Sequence, residues 1–452
     1  MMERNIPRLV LAGTNSGCGK TTVVCALLQA LVNRGLKVGA FKCGPDYIDP
    51  MFHSRIIGAK SANLDSYFFD KNTLNYLLAR SGEDRDVSIV EGVMGFYDGL
   101  SLTTPRASTC EVANLTESPV VLVVGAKGAS LSVLATIHGF LTFVPENRIA
   151  GVILNQCTAM TYKMLKAAIE ERFSGRVRPL GFLPTIPGAN LESRHLGLVT
   201  AAEVQDLKEK MNLLAFQAEK SLDMEGLLAL ANTAPPVTFE PVELPKKEPV
   251  RIAVARDKAF CFYYEDSLDA LRDLGAELIP FSPMDDAALP GNIHGLYLGG
   301  GYPELYGEAL SRNETMLVSI REALEKGLPC IAECGGFMYL TERIGDCPMV
   351  GYLPGASFDA GKLVRFGYVR LKAEKDNLLC RAGEEIPGHE FHHWDADHPG
   401  SDFTASKDSG RAWKAAIATD RLYAGYPHFH FYANPQFAVN FYNACLEVKH
   451  HD

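Results

Sequence analysis

The chain has 452 residues, which is long enough for two or three domains of ordinary size. Apolar residues make up 47% and charged residues 22%, a balance that excludes disorder over most of the length. With 54 acidic against 44 basic side chains, the net charge of −10 argues against a partner that is held through nucleic-acid phosphates.

The first half of the chain alternates short apolar runs with helical patterns. The runs RLVLAG (8–13), VGAFK (38–42), SIVEG (88–92), PVVLVVG (119–125) and GVILN (151–155) predict buried strands, and the pattern after the first run predicts a helix over about Lys20 to Asn33. Continuous apolar strands separated by helices are typical of a parallel sheet that is covered on both faces.

A change of composition separates the two halves. Residues 233–249 hold several prolines and charged side chains without a helical or strand period, so we predict a linker there. The alternation of predicted strands and helices then resumes. The predicted strands are RIAVA, ELIPF, GLYLGGG and PCIAEC, and the predicted helices lie near Asp266 to Leu274 and Glu314 to Glu325. We therefore predict an α/β protein with two domains, 1–232 and 250–452.

Residues 13–22, GTNSGCGKTT, follow a predicted strand and open a predicted helix, which is the context of a phosphate-binding loop. Glycines let backbone amides converge on phosphate oxygens, and the helix N-terminus adds positive potential. Lys20 is expected on the β- and γ-phosphates, and Thr21 is expected to offer its hydroxyl to Mg²⁺. The residues expected to bind the nucleotide in this loop are Gly13, Thr14, Asn15, Ser16, Gly17, Gly19, Lys20, Thr21 and Thr22.

Acidic residues near the ends of two other strands complete a predicted magnesium site. Glu91 ends an otherwise apolar strand, and Asp46 and Asp49 follow the second strand, with Lys42 beside them. Because Mg²⁺ takes one or two carboxylates together with water and substrate oxygens, these three acids are sufficient. The expected ligands are Thr21, Asp46 and Glu91. The alternative for each aspartate is a turn or helix cap.

A second reactive centre is predicted in the second half. The stretch PCIAECGGFMYL reads as a strand, a sharp turn and a helix, so Cys334 would project at a helix N-terminus that favours a thiolate. Backbone amides of Gly335 and of the upstream LGGGYPE loop, at Gly300 and Gly301, could form an oxyanion hole.

Two candidate bases lie near the C-terminus. The segment GYPHFHFYANP contains His428 and His430, and because side chains alternate along an extended segment only one of them can face Cys334. The stretch GHEFHHWDADH, residues 388–398, adds four histidines, for which we favour hydrogen-bonding or glutamine-facing roles over a zinc site.

Taken in order, these motifs resemble a known family. GTNSGCGKTT, FKCGPDYIDP, VEGVMGFYDG, LGGGYPE, AECGGFMYL, GHEFHH and the His-x-His segment are similar to the cobyrinic acid a,c-diamide synthase family over nearly the whole chain. The resemblance implies a dethiobiotin-synthetase-like P-loop domain joined to a class I glutamine amidotransferase domain of flavodoxin-like fold. It also implies that ATP and glutamine are used to amidate two acetate carboxylates of a corrinoid in cobalamin biosynthesis.

The family roles carry over to particular positions. The resemblance implies corrinoid-facing roles for Asp46, Tyr47 and Asp49, with Lys42 beside them, and a position near the nucleotide base for Asn155. Cys334 matches the nucleophile, and the pattern favours His428 as its base while His430 stays open. The glutamate that usually follows the histidine by two residues is absent here, so we expect a backbone carbonyl or water to orient the imidazole.

Other functions remain open at this point. The same motifs would serve an a,c-diamide synthase that acts on nickel sirohydrochlorin or on hydrogenobyrinic acid. A different class is a nucleotide-dependent regulatory protein with an inactive amidotransferase domain. Eleven cysteines without a C-x-x-C pair, no recognisable targeting segment and no run of eighteen apolar residues lead us to expect a cytoplasmic enzyme without membrane or nucleic-acid partners, acting on small molecules.

Overall fold

The computed structural model describes residues 1–189 and 201–451, the first four of the latter range without their side chains. The chain divides into two compact units, Met1–Val242 and Glu243–Asp452, and the division falls inside the segment predicted as a linker. Both units are α/β and each contains a largely parallel central sheet, as the sequence predicts.

The first unit is built on a seven-stranded parallel sheet in the order β4-β3-β5-β2-β6-β7-β8. A separate antiparallel pair joins β1 to β9, so part of the predicted linker forms a strand of this unit. The strands are β1 (Met2–Arg4), β2 (Arg8–Gly13), β3 (Val38–Cys43), β4 (Lys60–Leu64), β5 (Val87–Glu91), β6 (Val120–Gly125), β7 (Ile149–Asn155), β8 (Arg178–Leu183) and β9 (Val237–Phe239).

Helices cover this sheet. The predicted helix over Lys20 to Asn33 is confirmed with those bounds, and its buried face packs with the sheet and with α7 in one apolar core. The helices are α1 (Lys20–Asn33), α2 (Ile48–Phe52), α3 (Lys71–Gly82), α4 (Thr109–Leu115), α5 (Ser132–Phe143), α6 (Ala159–Phe173), α7 (Ala201–Ser221) and α8 (Met224–Ala231), and a π-helical turn spans His53–Ile57.

The second unit has a six-stranded sheet in the order β12-β10-β13-β15-β25-β24, which is parallel except for its last pair. Three further sheets have the orders β11-β14, β17-β16-β18-β21 and β23-β22-β19-β20-β26. The strands of the parallel sheet are β10 (Val250–Ala255), β12 (Ala276–Phe281), β13 (Gly295–Leu298), β15 (Cys330–Glu333), β24 (Ile417–Ala418) and β25 (Leu422–Gly425). The remaining strands are β11 (Phe260–Phe262), β14 (Gly300–Gly301), β16 (Arg343–Ile344), β17 (Cys347–Pro348), β18 (Ala356–Asp359), β19 (Arg365–Ala373), β20 (Glu385–His392), β21 (Trp394–Ala396), β22 (Phe403–Ser406), β23 (Ala412–Ala415) and β26 (His428–Phe429).

Both helices that the sequence predicts in the second unit are confirmed, and the first of them begins one residue earlier than predicted, at Glu265. The helices of this unit are α9 (Glu265–Leu274), α10 (Gly307–Arg312), α11 (Glu314–Glu325), α12 (Gly335–Leu340) and α13 (Pro435–His451). Strands β2 and β5 of the first unit and β15 of the second lead directly into candidate site residues. These residues lie at the carboxyl edge of their sheet, where α/β proteins bind their ligands. Among the helices of the described ranges, none is long and apolar enough to cross a membrane.

Candidate functional site

The loop between β2 and α1 has the backbone geometry of a phosphate cradle. Gly17 and Gly19 have φ angles of 84° and 83°, in the left-handed region that favours glycine. A Cβ atom on Gly19 would lie 1.9 Å from Nδ2 of Asn155, whereas one on Gly17 would meet nothing within 4 Å. Asn155 ends β7 and its Nδ2 donates to the carbonyl of Cys18 at 2.9 Å. The side chain that was expected near a nucleotide base therefore contacts the loop backbone.

The rim of this loop is exposed and its base is buried. Asn15, Ser16 and Gly17 are exposed, while Thr14, Thr21 and Thr22 are half-buried. Lys20 begins α1 and is only 9% exposed. The loop thus presents its backbone outward and keeps its lysine inside.

Glu91 is the centre of a buried charge cluster beneath the loop. It is fully buried at the end of β5, and its Oε1 accepts a hydrogen bond from Oγ1 of Thr21 at 2.6 Å. The same oxygen lies 3.3 Å from Nζ of Lys20 and 3.2 Å from Nζ of Lys42, and its Oε2 lies 3.2 Å from Nε2 of His53. Burial alone would raise the pKa of Glu91, but the contacts with Lys42, Lys20 and His53 outweigh it and hold the pKa well below its ordinary value. Glu91 is therefore a carboxylate.

The second acidic stretch meets this cluster through Lys42. Nζ of Lys42 donates to Oδ2 of Asp49 at 2.5 Å and lies 3.8 Å from Oδ2 of Asp46. Burial would lower the pKa of Lys42, but the carboxylates of Glu91, Asp49 and Asp46 outweigh burial and raise it. Asp49 is thus an ion-pair partner of Lys42, and Tyr47, between the two aspartates, is buried.

The predicted magnesium ligands differ in how well they fit. The hydroxyl of Thr21 and the carboxylate of Glu91 form a pair of hard oxygen donors of the kind that Mg²⁺ prefers. Oδ1 of Asp46 instead accepts hydrogen bonds from the amides of Ile48 and Asp49, at 2.8 and 3.2 Å, and acts as a turn cap. Within residues 1–189 and 201–451, no group of three or more His, Cys, Asp and Glu side chains has the geometry to hold a metal ion by itself. A magnesium ion at Thr21 and Glu91 would complete its shell with phosphate oxygens and water.

Cys334 lies in a strained turn between β15 and α12. Its φ and ψ angles are 49° and −102°, a region that non-glycine residues rarely adopt, and its amide donates to the carbonyl of Gly425 at 2.7 Å. The side chain is 9% exposed. This backbone conformation turns the Cys334 side chain away from the alternating pattern of the preceding strand.

The predicted oxyanion glycines lie close to the cysteine turn and to His428. A Cβ atom on Gly335 would lie 3.2 Å from the amide nitrogen of Gly301, and one on Gly300 would lie 2.5 Å from Cε1 of His428. Gly300 and Gly301 form β14, which pairs with β11. All three positions are therefore closely packed around the imidazole and the turn, where a side chain would not fit.

His428 is the histidine that the structure brings to Cys334. It is 3% exposed, and the side chain of Cys334 is among the neighbours that raise the pKa of its imidazole. Its Nδ1 lies 3.1 Å from Oε2 of Glu333, which leaves Nε2 for the sulfur. Burial would lower the pKa of His428, but the interactions with Cys334 and Glu333 raise it to about 10.

Glu333 is a neighbour of the candidate base that the sequence analysis does not single out. The expectation that a backbone carbonyl or water orients the imidazole is wrong, because a carboxylate from the residue before the cysteine contacts Nδ1. Burial raises the pKa of Glu333 above its ordinary value, and the contact with His428 opposes that shift without cancelling it. Since the pKa of His428 is raised to about 10, the shared proton lies on the imidazole and Glu333 is the carboxylate of the pair.

His430 has a different environment. Its Nδ1 accepts a hydrogen bond from the amide of Tyr432 at 3.2 Å, and its ring packs against Tyr264 with centroids 4.8 Å apart. Burial lowers the pKa of His430 to about 3, so the ring is neutral. The structure therefore brings His428 and not His430 to the thiol.

Two of the four histidines of the 388–398 stretch, His389 and His392, are buried near the same centre. The ring of His389 stacks on that of His428 with centroids 5.1 Å apart, and its Nδ1 lies 3.3 Å from the hydroxyl of Tyr264. His392 stacks on Tyr426 at 4.0 Å. The contact of His389 with Tyr264 agrees with the hydrogen-bonding role that we favour over a zinc site, and the glutamine-facing role stays a prediction.

Two family models match the chain, one in each unit. A CobQ/CobB/MinD/ParA nucleotide binding domain matches residues 9–198, and a CobB/CobQ-like glutamine amidotransferase domain matches residues 251–436. The matches agree with the phosphate loop at residues 13–22 and with the cysteine turn at Cys334.

Curated relatives match over nearly the full length. The cobyrinate a,c-diamide synthase of Listeria monocytogenes serotype 4b is 40% identical over 440 residues, which cover 94% of this chain and 97% of that protein. The cobyrinate a,c-diamide synthase of Dehalococcoides mccartyi is 39% identical over 454 residues, covering 97% and 98%. That of Clostridium acetobutylicum is 39% identical over 434 residues, covering 95% and 98%. With both domains matched and identity near 40% from end to end, the chain belongs to the cobyrinate a,c-diamide synthase family.

Proposed function

We propose that this protein is an ATP- and glutamine-dependent ligase that amidates the a and c acetate carboxylates of cobyrinate in cobalamin biosynthesis, in the cytoplasm. The observation that carries the proposal is that one chain contains two complementary reactive centres. One is a phosphate loop whose lysine and threonine contact a buried carboxylate, and the other is a cysteine in a strained turn beside a buried histidine. A single reaction requires both.

The first centre serves to activate the acid. A carboxylate resists ammonia because oxide is a poor leaving group, so a carboxylate oxygen of the substrate attacks the γ-phosphorus of ATP and ADP leaves, which gives an acyl phosphate. Lys20 and the amides of the Gly13–Thr22 loop bind the phosphates and balance their charge. Magnesium held by Thr21 and Glu91 would supply further charge neutralisation at the phosphate oxygens.

Lys42 and its two aspartates are proposed to face the substrate carboxylate. Lys42 is 3% exposed, and its charge is shared among Glu91, Asp49 and Asp46. A substrate carboxylate that approaches this ammonium competes with Asp46, the most distant and least buried of the three partners. We expect Asp46→Asn or Asp49→Asn to alter which acetate is amidated, measured as the ratio of the two monoamides. An unchanged ratio would count against a substrate-facing role.

The second centre serves to release ammonia. The thiolate of Cys334 attacks the side-chain amide carbon of glutamine, and the tetrahedral oxyanion lies against the amides of Gly335 and the Gly300–Gly301 strand. The C–N bond then breaks, and His428 gives its proton to the leaving nitrogen. Water, deprotonated by the now neutral His428, hydrolyses the thioester and releases glutamate.

Ammonia then attacks the carbonyl carbon of the acyl phosphate. The bond between that carbon and the bridging oxygen breaks, and inorganic phosphate leaves. Because ammonia is mostly protonated at neutral pH, its release from glutamine by the same protein raises the supply of the reactive form. This requirement explains why both centres belong to one chain.

The decisive experiment offers the protein three rings. It is incubated with ATP, glutamine and either cobyrinic acid, nickel sirohydrochlorin or hydrogenobyrinic acid, and the products are weighed by mass spectrometry. We expect two successive amidations of cobyrinic acid. If only one of the other two rings is amidated, that ring is the substrate. If ATP is hydrolysed but neither amidation nor glutamine hydrolysis occurs, a nucleotide-dependent regulatory protein is favoured.

A further inference from the structure

We propose that Glu333, directly before the nucleophile, is the positioning carboxylate of the cysteine centre: it holds His428 through Nδ1, so that Nε2 faces the sulfur of Cys334. Cys334, His428 and Glu333 would then act as a triad whose acid comes from an unusual place in the chain. The inference rests on the proposed glutamine hydrolysis and concerns its second centre only.

The contacts around Glu333 fit this role. Glu333 is 2% exposed, and a carboxylate at such depth is costly unless donors occupy its oxygens. Its Oε2 lies 3.1 Å from Nδ1 of His428, and its Oε1 accepts a hydrogen bond from the hydroxyl of Tyr297 at 3.3 Å. Both oxygens are therefore used, and one of them holds the imidazole.

The strained turn explains how two successive residues reach one ring. Along an extended strand, neighbouring side chains point to opposite faces. The positive φ of 49° at Cys334 breaks that alternation directly after Glu333. In addition, Glu333 pairs with Gly425 across β15 and β25, three residues before His428. The strand register thus brings the acid close to the segment that carries the histidine.

Titratable groups approach His428 from two strands. Glu333 and Cys334 approach it from β15 and its turn, and His389 stacks on it from β20. Burial and the charge of His428 hold the pKa of His389 well below its ordinary value, so His389 is neutral. Of these three neighbours, the carboxylate is the one that favours an imidazolium before the thiol ionises.

The test is Glu333→Gln in the full-length protein. Glutamine keeps the volume, but its amide can donate to Nδ1 and thereby fix the wrong imidazole tautomer, a change that costs about 10⁴-fold in kcat in a serine protease. We expect kcat for glutamine hydrolysis to fall at least about 100-fold with little change in KM. We also expect a higher pH for half-maximal alkylation of Cys334 by iodoacetamide, followed by mass spectrometry of its peptide. A purely packing role would leave that profile in place.

Two variants and one assay serve as controls. Glu333→Asp keeps the charge and should recover part of the activity and of the wild-type alkylation profile. Tyr297→Phe keeps the carboxylate and removes one hydrogen bond, so its loss should be smaller than that of Glu333→Gln. Amidation driven by ammonium should persist in all three variants, because it bypasses the cysteine centre.

The outcomes separate the inference from the proposed function. A Glu333→Gln protein with wild-type kcat and an unshifted alkylation profile would overturn the role of Glu333 alone. Wild-type protein that hydrolyses no glutamine would overturn the proposed function instead. If Glu333→Gln does not fold, Glu333→Asp decides: a shifted profile with reduced kcat supports the inference, and an unchanged profile with full activity contradicts it.

Discussion

The two reactive centres are stabilised in different ways. In the first unit, the carboxylate of Glu91 is surrounded by Lys20, Lys42 and His53, so several ionisable groups are already held in fixed positions. In the second unit, a single carboxylate, Glu333, supports one histidine, and the cysteine is projected by backbone strain. A centre that binds a polyanion needs several charges at fixed positions, whereas a nucleophile needs one correctly oriented base.

Cys334→Ala tests this division most severely. Removing a nucleophile costs up to about a million-fold in kcat in a comparable triad, so glutamine-dependent amidation should fall below detection. Amidation with a high concentration of ammonium should continue, because only the nitrogen source is lost. Loss of the ammonium-driven reaction as well would show that the two centres are not separate in function.

A matched pair of variants sharpens the cysteine side. We expect His428→Asn to lower kcat for glutamine hydrolysis by about 10²- to 10⁴-fold, the usual contribution of a general acid and base. His430→Asn should keep most of the activity, because His430 packs against Tyr264 and its Nδ1 accepts a hydrogen bond from the Tyr432 amide. Equal losses in both variants would contradict the assignment of His428.

Lys20→Ala tests the nucleotide side. Without the ammonium at the phosphates, we expect both glutamine- and ammonium-driven amidation to fall about 100- to 1000-fold. Glutamine hydrolysis should remain measurable, and Lys37→Ala, at an exposed lysine of the same unit, is the control. Retained amidation in Lys20→Ala would remove ATP activation from the mechanism.

Two glycines of the loop provide a finer comparison. Both Gly17→Ala and Gly19→Ala place a side chain at positive φ, which costs about 1–2 kcal/mol. Only the second variant also displaces Asn155 from the Cys18 carbonyl. We expect ATP affinity, measured by calorimetry, to fall about tenfold further in Gly19→Ala than in Gly17→Ala. Equal affinities would mean that Asn155 does not support the loop.

The pH dependence gives the smallest effect. The pKa of His428 is raised from its ordinary 6.5 to about 10, so the imidazolium and the stabilisation it brings are fully present below pH 6.5 and are lost as the pH rises through about 10. We expect kcat for glutamine hydrolysis to decline over that upper range in a pH–rate profile. A decline already centred near pH 6.5 would indicate an imidazole without its carboxylate.

Motif spacing was enough to predict the phosphate loop, Lys20, Cys334 and the α/β alternation, because glycine turns, strand ends and helix starts are local features. Glu91 and Glu333 carry the same local signal, because each is an acid that ends a buried apolar strand. The signal predicts a site role for Glu91, whereas the expected position of a triad acid, after the histidine, points away from Glu333. His53, on its π-helical turn, carried no comparable signal.

The sequence by itself determined which chemistry each half can perform, since residue types and their spacing along a strand–turn–helix segment specify a phosphate loop or a cysteine turn. Only the tertiary structure decided between His428 and His430, joined Glu333 to the imidazole and gathered Lys42, Asp49 and His53 around Glu91. Some of those pairings connect residues that are far apart in the chain, and others depend on strand register and burial. A local sequence pattern contains no information about either long-range contacts or register.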